Sequence, residues 1–343
     1  MSSSSSSTNG QRFKYTTTTS NNEMAVLENI YKRIIGQHHD KVMIKDTGTS
    51  HGRGLFTKVS VAAGSTIITE QPFVSHPSFD QASTNSVCSH CLTNLPTPIT
   101  NATTTGNNKH QHVHCPNCRQ NYCSVNCKNT AETQYHLACC TSIDTVRKYC
   151  QAEKRRFPLL AAKIVARILL GYHFNKTMEH WENLQVLSFA KKDPPMEWKD
   201  DYLAFQRAML TKESNKKKFN YEWFVRVMQI LYINTVGIQV GATTPTAATP
   251  DSGIGLYYLA SFINHSCEPN CFLAFPNDHT LNLVALKPLK QGDELTISYG
   301  DPNKDYVERQ SHLFDNYGFS CQCPKCLLDL PSKRPKKPLA ADK

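Results

Sequence analysis

The positions of fourteen cysteines constrain this 343-residue chain more than any other feature. Cys88 and Cys91 form a C-x2-C pair, Cys115 and Cys118 a second, Cys123 and Cys127 a C-x3-C pair, and His136 and Cys140 an H-x3-C pair. Gaps of two or three residues let two side chains of one turn face the same ion, and zinc takes four such ligands in a tetrahedron. Four pairs therefore predict two zinc ions, and in so short a segment metal binding is what drives folding. Cys139 beside Cys140, and His110, His112 and His114, are competing ligands, although the H-x3-C spacing favours Cys140. A third centre is predicted near the C-terminus, where "CQCPKC" supplies Cys321, Cys323 and Cys326, one ligand short of a tetrahedron. Cys267 in "FINHSCEPNC" is the natural fourth. The competing readings of Cys267 are a buried thiol or a nucleophile served by His265, but no third group to orient such a pair is evident in the sequence.

The compartment supports metal over disulfides. The segment "MSSSSSSTNGQRFKYTTTTS" has no apolar run that could serve as a signal core, and no later run reads as a membrane span, so a cytoplasmic and nuclear location is expected. Disulfides are rare there. The most apolar stretch, "FPLLAAKIVARILLGYHF", carries Lys163 and Arg167 four apart and reads as an amphipathic helix with one polar face. The balance of 38 basic against 28 acidic residues favours acidic partners or nonspecific nucleic-acid contact. The fingers lack the spacing and recognition helix that would read bases.

Composition divides the chain. Residues 1–22 are Ser/Thr/Asn-rich and predicted to be disordered, and "NNEMAVLENIYKRIIGQ" reads as a helix with Asn22 as its cap and Gly36 as its stop. Residues 41–80 and 220–312 contain β-rich runs. Between them lie the Cys/His block, 86–140, and a helical block, 141–219. Residues 313–328 carry the last cysteines, and 329–343 form a basic tail that reads as a solvated end or an import signal. One α+β unit, β-rich at both ends and interrupted by two insertions, is expected.

"GRGLF", "NHSCEPNC", "ELTISYGD" and the terminal "CQCPKC", in that order, resemble the SET-domain protein lysine methyltransferases with their post-SET zinc site. The cysteine-rich block between the first two resembles a MYND finger, which points to the SET- and MYND-domain family. "QYHLACC" and "NYGFSCQCPKC" look most like its short fifth member, which lacks the C-terminal helical repeat domain. The resemblance implies a β-rich SET domain with pseudoknot-like C-terminal threading, and alternate finger pairs sharing an ion. Cys88, Cys91, Cys123 and Cys127 would hold one zinc, and Cys115, Cys118, His136 and Cys140 another.

It also implies an activity, methyl transfer from S-adenosylmethionine to a lysine amine of a histone or translation-related protein. Asn264 and His265 would hold the cofactor's adenine end beside Ser261. His51, Gly52 and Arg53 would approach its amino-acid end, and Asn234 would contact it. Tyr299 is the implied catalytic tyrosine and a cofactor contact as well, and Tyr317, implied as catalytic, and Phe319, implied as a cofactor contact, would line the lysine channel or cover the cofactor. Implied partners are a histone tail or ribosomal protein and a proline-containing peptide at the finger, with no membrane and a monomeric chain. The rival expectation is an inactive zinc-dependent interaction module.

Overall fold

The computed structural model describes residues 21–49, 52–79, 86–95, 113–118, 120–245, 247 and 249–330. Helix α1 (Asn21–Ile35) begins at the two asparagines, so residues 21 and 22 belong to it, and Gly36 ends it in the left-handed region at φ +52°. Residues 1–20 and 331–343 lie outside the described residues.

The β-rich ends assemble into small sheets. Strands β1 (Val42–Asp46) and β2 (Arg53–Thr57) form a hairpin. Strand β3 (Thr66–Glu70) pairs with β11 (Leu281–Ala285), which also pairs with β10 (Cys271–Ala274). Strand β4 (Val74–Pro77) is the edge of a three-stranded sheet with β8 (Gly253–Leu256) and β7 (Thr235–Ile238). The finger carries β5 (Val113–His114), β6 (Asn121–Tyr122) and α2 (Val125–Ala131), which continues through a π turn at Glu132–His136.

The helical layer comprises α3 (Ser142–Ala152), α4 (Phe157–Asn175), α5 (Glu179–Gln185), α6 (Glu197–Met209), α7 (Glu213–Lys218) and α8 (Tyr221–Asn234). Its central element corrects a sequence expectation. Helix α4 is not amphipathic: residues 158–166 are all buried, including Lys163. It is also long and apolar enough to cross a membrane by length and composition, contrary to the reading above, but most of it is packed inside the protein. Its polar pair faces inward to serve an edge strand. Lys163 Nζ donates to the Ser75 carbonyl at 2.6 Å and Arg167 Nη1 to the Phe73 carbonyl at 2.8 Å. Four helical residues rise about 6 Å and two strand residues about 6.6 Å, so cations at i and i+4 meet alternate carbonyls on one strand edge. Those carbonyls are covered by α4 and need donors.

Strand β8 lies so close to β4 that a Cβ on Gly253 would stand 2.3 Å from the His76 carbonyl oxygen. Gly253→Ala is therefore expected to destabilise the fold by about 1–3 kcal/mol through backbone displacement. Urea unfolding checks this, and a midpoint equal to wild type contradicts the packing.

Candidate active site and three metal centres

The ligand atoms of Cys88, Cys91, Cys123 and Cys127, of Cys115, Cys118, His136 and Cys140, and of Cys267, Cys321, Cys323 and Cys326 each lie within 4.8 Å of one another. Sulfur pairs stand at 3.6 Å (Cys91–Cys123), 3.5 Å (Cys115–Cys140) and 3.5 Å (Cys326–Cys267). Metal–sulfur bonds of about 2.3 Å at tetrahedral angles put sulfurs about 3.8 Å apart, so each set fits zinc. Cys139 is buried and turns its thiol to the Tyr135 carbonyl, leaving Cys140 in the second cluster. His114 is exposed outside the clusters, and His110 and His112 lie outside the described residues.

The third cluster sits on a parallel pairing. Strand β9 (Asn264–His265) runs beside β12 (Thr296–Ile297), with the β10–β11 hairpin between them in sequence. Three side chains hold this crossing. Asn270 accepts from the Thr296 amide at 2.8 Å and donates to the Glu294 carbonyl at 2.7 Å. Asn264 Nδ2 donates to Glu294 Oε1 at 2.7 Å and to the Arg53 carbonyl at 3.2 Å, drawing in β2. A Cβ on Gly54 would meet Glu294 Oε1 at 2.6 Å and Asn264 Nδ2 at 3.0 Å, so a larger residue there would push on the side chains that hold the crossing. Upstream, the Glu70 carboxylate accepts the Leu259 and Ala260 amides at 2.7 and 2.9 Å, fixing the chain's entry.

His265 joins the crossing to the metal centre. Its Nδ1 accepts the Tyr299 amide at 3.0 Å, which leaves Nε2 protonated and facing Cys267 Sγ at 3.2 Å. The Cys-His contact that sequence reasoning discounted is thus present, with Tyr299 as its orienting group. Cys267, however, is one of four clustered thiols that could hold a metal ion, which fits its sulfur to ligation.

Tyr299 stands in an aromatic group. Its ring centroid lies 5.2 Å from His265, 4.8 Å from Tyr317 and 6.5 Å from Phe319. Its hydroxyl donates to the Ile263 carbonyl at 2.6 Å, and burial raises its pKa, as it does that of Tyr317. Both phenols stay protonated at neutral pH. Helix α9 (Tyr306–Tyr317) delivers Tyr317 and His312, both directed at the Tyr299 carbonyl, and Gly318 at φ +75° turns the chain so that Phe319 comes back to His265 at 6.0 Å. Helix α10 (Pro324–Leu328) then carries Cys326 to the metal centre.

The remaining predicted residues divide. Gly52 is buried with φ +77° at the start of β2, and His51 lies outside the described residues. The Arg53 guanidinium donates to the Tyr31 hydroxyl at 2.6 Å and lies 5.3 Å from the Phe262 ring, so its side chain braces α1. Asn234 spends its amide protons on the Ser188 and Ile230 carbonyls, and Ser261 spends its hydroxyl on Tyr257. Sequence reasoning missed Glu70, Asn270, Glu294 and His312; the "EPN" turn and the acid opening "ELTIS" were the only signals for two of them.

Comparison with known proteins decides the family. The SET-domain family matches residues 52–300. A SET and MYND domain-containing protein of Dictyostelium discoideum is 45% identical over 337 residues, covering 91% of this chain and 94% of that protein. The chain belongs to the SET- and MYND-domain family. Protein-lysine N-trimethyltransferase SMYD5 of Mus musculus is 28% identical, with 84% of this chain and 87% of that protein covered. Histone-lysine N-methyltransferase ATXR4 of Arabidopsis thaliana is 25% identical, with 81% and 83% covered. Within this family the parallel crossing, the finger and the C-terminal thiol cluster are the SET core, the MYND insertion and the post-SET centre.

Two outcomes are expected. Elemental analysis of the full chain should find three zinc ions, two in Cys140→Ser and three in Cys139→Ser; an ion lost from Cys139→Ser contradicts the second cluster. Burial raises the Glu70 pKa from 4.5 to about 7 against the pull of its backbone hydrogen bonds. The folded chain thus binds a proton that the unfolded chain releases, so Glu70's contribution to stability falls as pH rises from about 4.5 to 7. Urea midpoints at pH 5 and 7.5 should show that slope lost in Glu70→Gln relative to wild type.

Proposed function

We propose that the chain is a protein-lysine N-methyltransferase using S-adenosylmethionine, with the aromatic group around Tyr299 as its lysine channel. The observation that carries this reading is the convergence of Tyr299, Tyr317 and Phe319 on the Asn264–His265 crossing, held there by the post-SET thiols. Its family membership and the methyltransferase names of its relatives support it. The residues present also fit the cofactor. Asn264 Oδ1 accepts no hydrogen bond from the described residues, which leaves it able to accept from a ligand donor.

S-adenosylmethionine supplies an activated methyl on a sulfonium centre. The chain's work is alignment and exclusion of water. Because the Tyr299 proton is committed to Ile263, its oxygen offers lone pairs to the pocket, oriented to accept from a lysine N–H. Aromatic walls disfavour the lysine ammonium, lowering its pKa toward the free amine that attacks. Neither phenol serves as a base, since burial keeps both protonated; the substrate's proton leaves to solvent before transfer.

Lysines of a histone tail or a ribosomal protein are the substrates we infer, in the cytoplasm and nucleus. A proline-containing peptide is the partner we infer for the finger, where Val125 and Leu137 are exposed apolar residues. Transfer of labelled methyl to core histones and to a ribosomal fraction tests the reading. Tyr299→Phe should lower kcat by about 100-fold or more with zinc content unchanged, the scale seen on removing one transition-state contact. No transfer by wild type to either fraction, together with no calorimetric binding of S-adenosylmethionine, would overturn it in favour of an inactive interaction module.

A further inference from the structure

The finger, the helical layer and the SET core meet around a cleft of about 270 Å³ that shares no lining residue with the aromatic channel. Arg167 is its cation. One arm of the guanidinium, Nη1, is spent on the Phe73 carbonyl and Gln134 Oε1, each at 2.8 Å, and the plane lies 5.1 Å from the Phe73 ring. The other edge is unused: Nε is buried without an acceptor, and no bond from Nη2 is found among the described residues. No carboxylate lies in ion-pair range of Arg167 among those residues either. A cation without a carboxylate partner is costly where it is partly buried, and a guanidinium is a natural receiver of a carboxylate.

The surroundings agree in sign. His90, His180 and His279 line the same cleft, and burial foremost lowers the His180 pKa to about 4, so that imidazole is neutral at physiological pH. Lys163, one turn from Arg167 in α4, is buried and donates to the Ser75 carbonyl. The only acid among the lining residues is Glu179, exposed at the start of α5. The volume is about that of nine waters and lies just below the range of drug-sized pockets. We propose that this cleft is a second ligand site, taking a small carboxylate, free or as an acidic peptide side chain, on the Arg167 guanidinium. A singly charged carboxylate matches the one guanidinium in the lining, whereas a phosphate dianion has too few cations there. A ligand at this position touches all three parts of the chain and ties the finger to the catalytic core.

Calorimetry on the zinc-loaded full chain, without S-adenosylmethionine and at constant ionic strength in chloride, tests this independently of methyl transfer. The probes are succinate, N-acetylglutamate amide and inorganic phosphate. Saturable binding of at least one carboxylate is expected, weakened tenfold or more in Arg167→Met. Because that variant removes a partly buried anchor of β4 and can fail to fold, Glu179→Gln supplies the second reading. It changes only an exposed rim acid and should tighten carboxylate binding several-fold. Tighter binding of succinate than of the amide identifies the free acid as the source, and the reverse identifies a peptide side chain. No carboxylate binding to wild type at millimolar concentration, phosphate binding more tightly than either carboxylate, or unchanged affinity in Glu179→Gln would overturn the proposal.

Discussion

Four thiols drawn from two segments, with Cys267 and Cys326 59 positions apart, converge on one tetrahedron, and the channel's geometry depends on that convergence. Without it, α9 and the turn through Gly318 have little reason to press Tyr317 and Phe319 against Tyr299. The cluster they form with Leu313 and the thiols is small, too small to order a terminal segment by apolar burial alone. Metal binding supplies what the core cannot. His265 extends the constraint inward: one ring nitrogen faces the Cys267 sulfur while the other fixes the Tyr299 amide. The post-SET centre and the tyrosine are therefore separated by a single imidazole.

The same logic of a long-range clamp recurs at the crossing itself. A parallel pair of two residues per strand is too short to hold by ladder bonds, and the amides of Asn264 and Asn270 provide the missing ties to β2, Glu294 and Thr296. Glu70 does this one step upstream. Each is a short polar side chain satisfying backbone groups that a threaded segment leaves without partners.

Much of this was legible in the sequence. Ligand spacing alone gave the four finger pairs and the need for a fourth partner to "CQCPKC", because a tetrahedron has a fixed ligand count. The order of short motifs gave the SET architecture. What spacing could not convey was direction. Lys163 and Arg167 four apart describe a solvated face and an edge-strand clamp equally well, and only the position of β4 makes them inward donors. Asn234 is a similar case: an amide at a helix end serves a ligand or the backbone, and its protons go to Ser188 and Ile230. Glu70 and His312 carried no local pattern, since their partners lie in distant segments.

The most direct test of the central claim is amide hydrogen exchange on the full chain, comparing zinc-loaded wild type with Cys323→Ser. If the post-SET centre holds the channel through His265, protection should fall at residues 264–267, 296–299 and 306–326. The finger, 86–95 and 113–140, should exchange as before. Unchanged protection at Tyr299 and across α9 after loss of the third zinc would contradict the account.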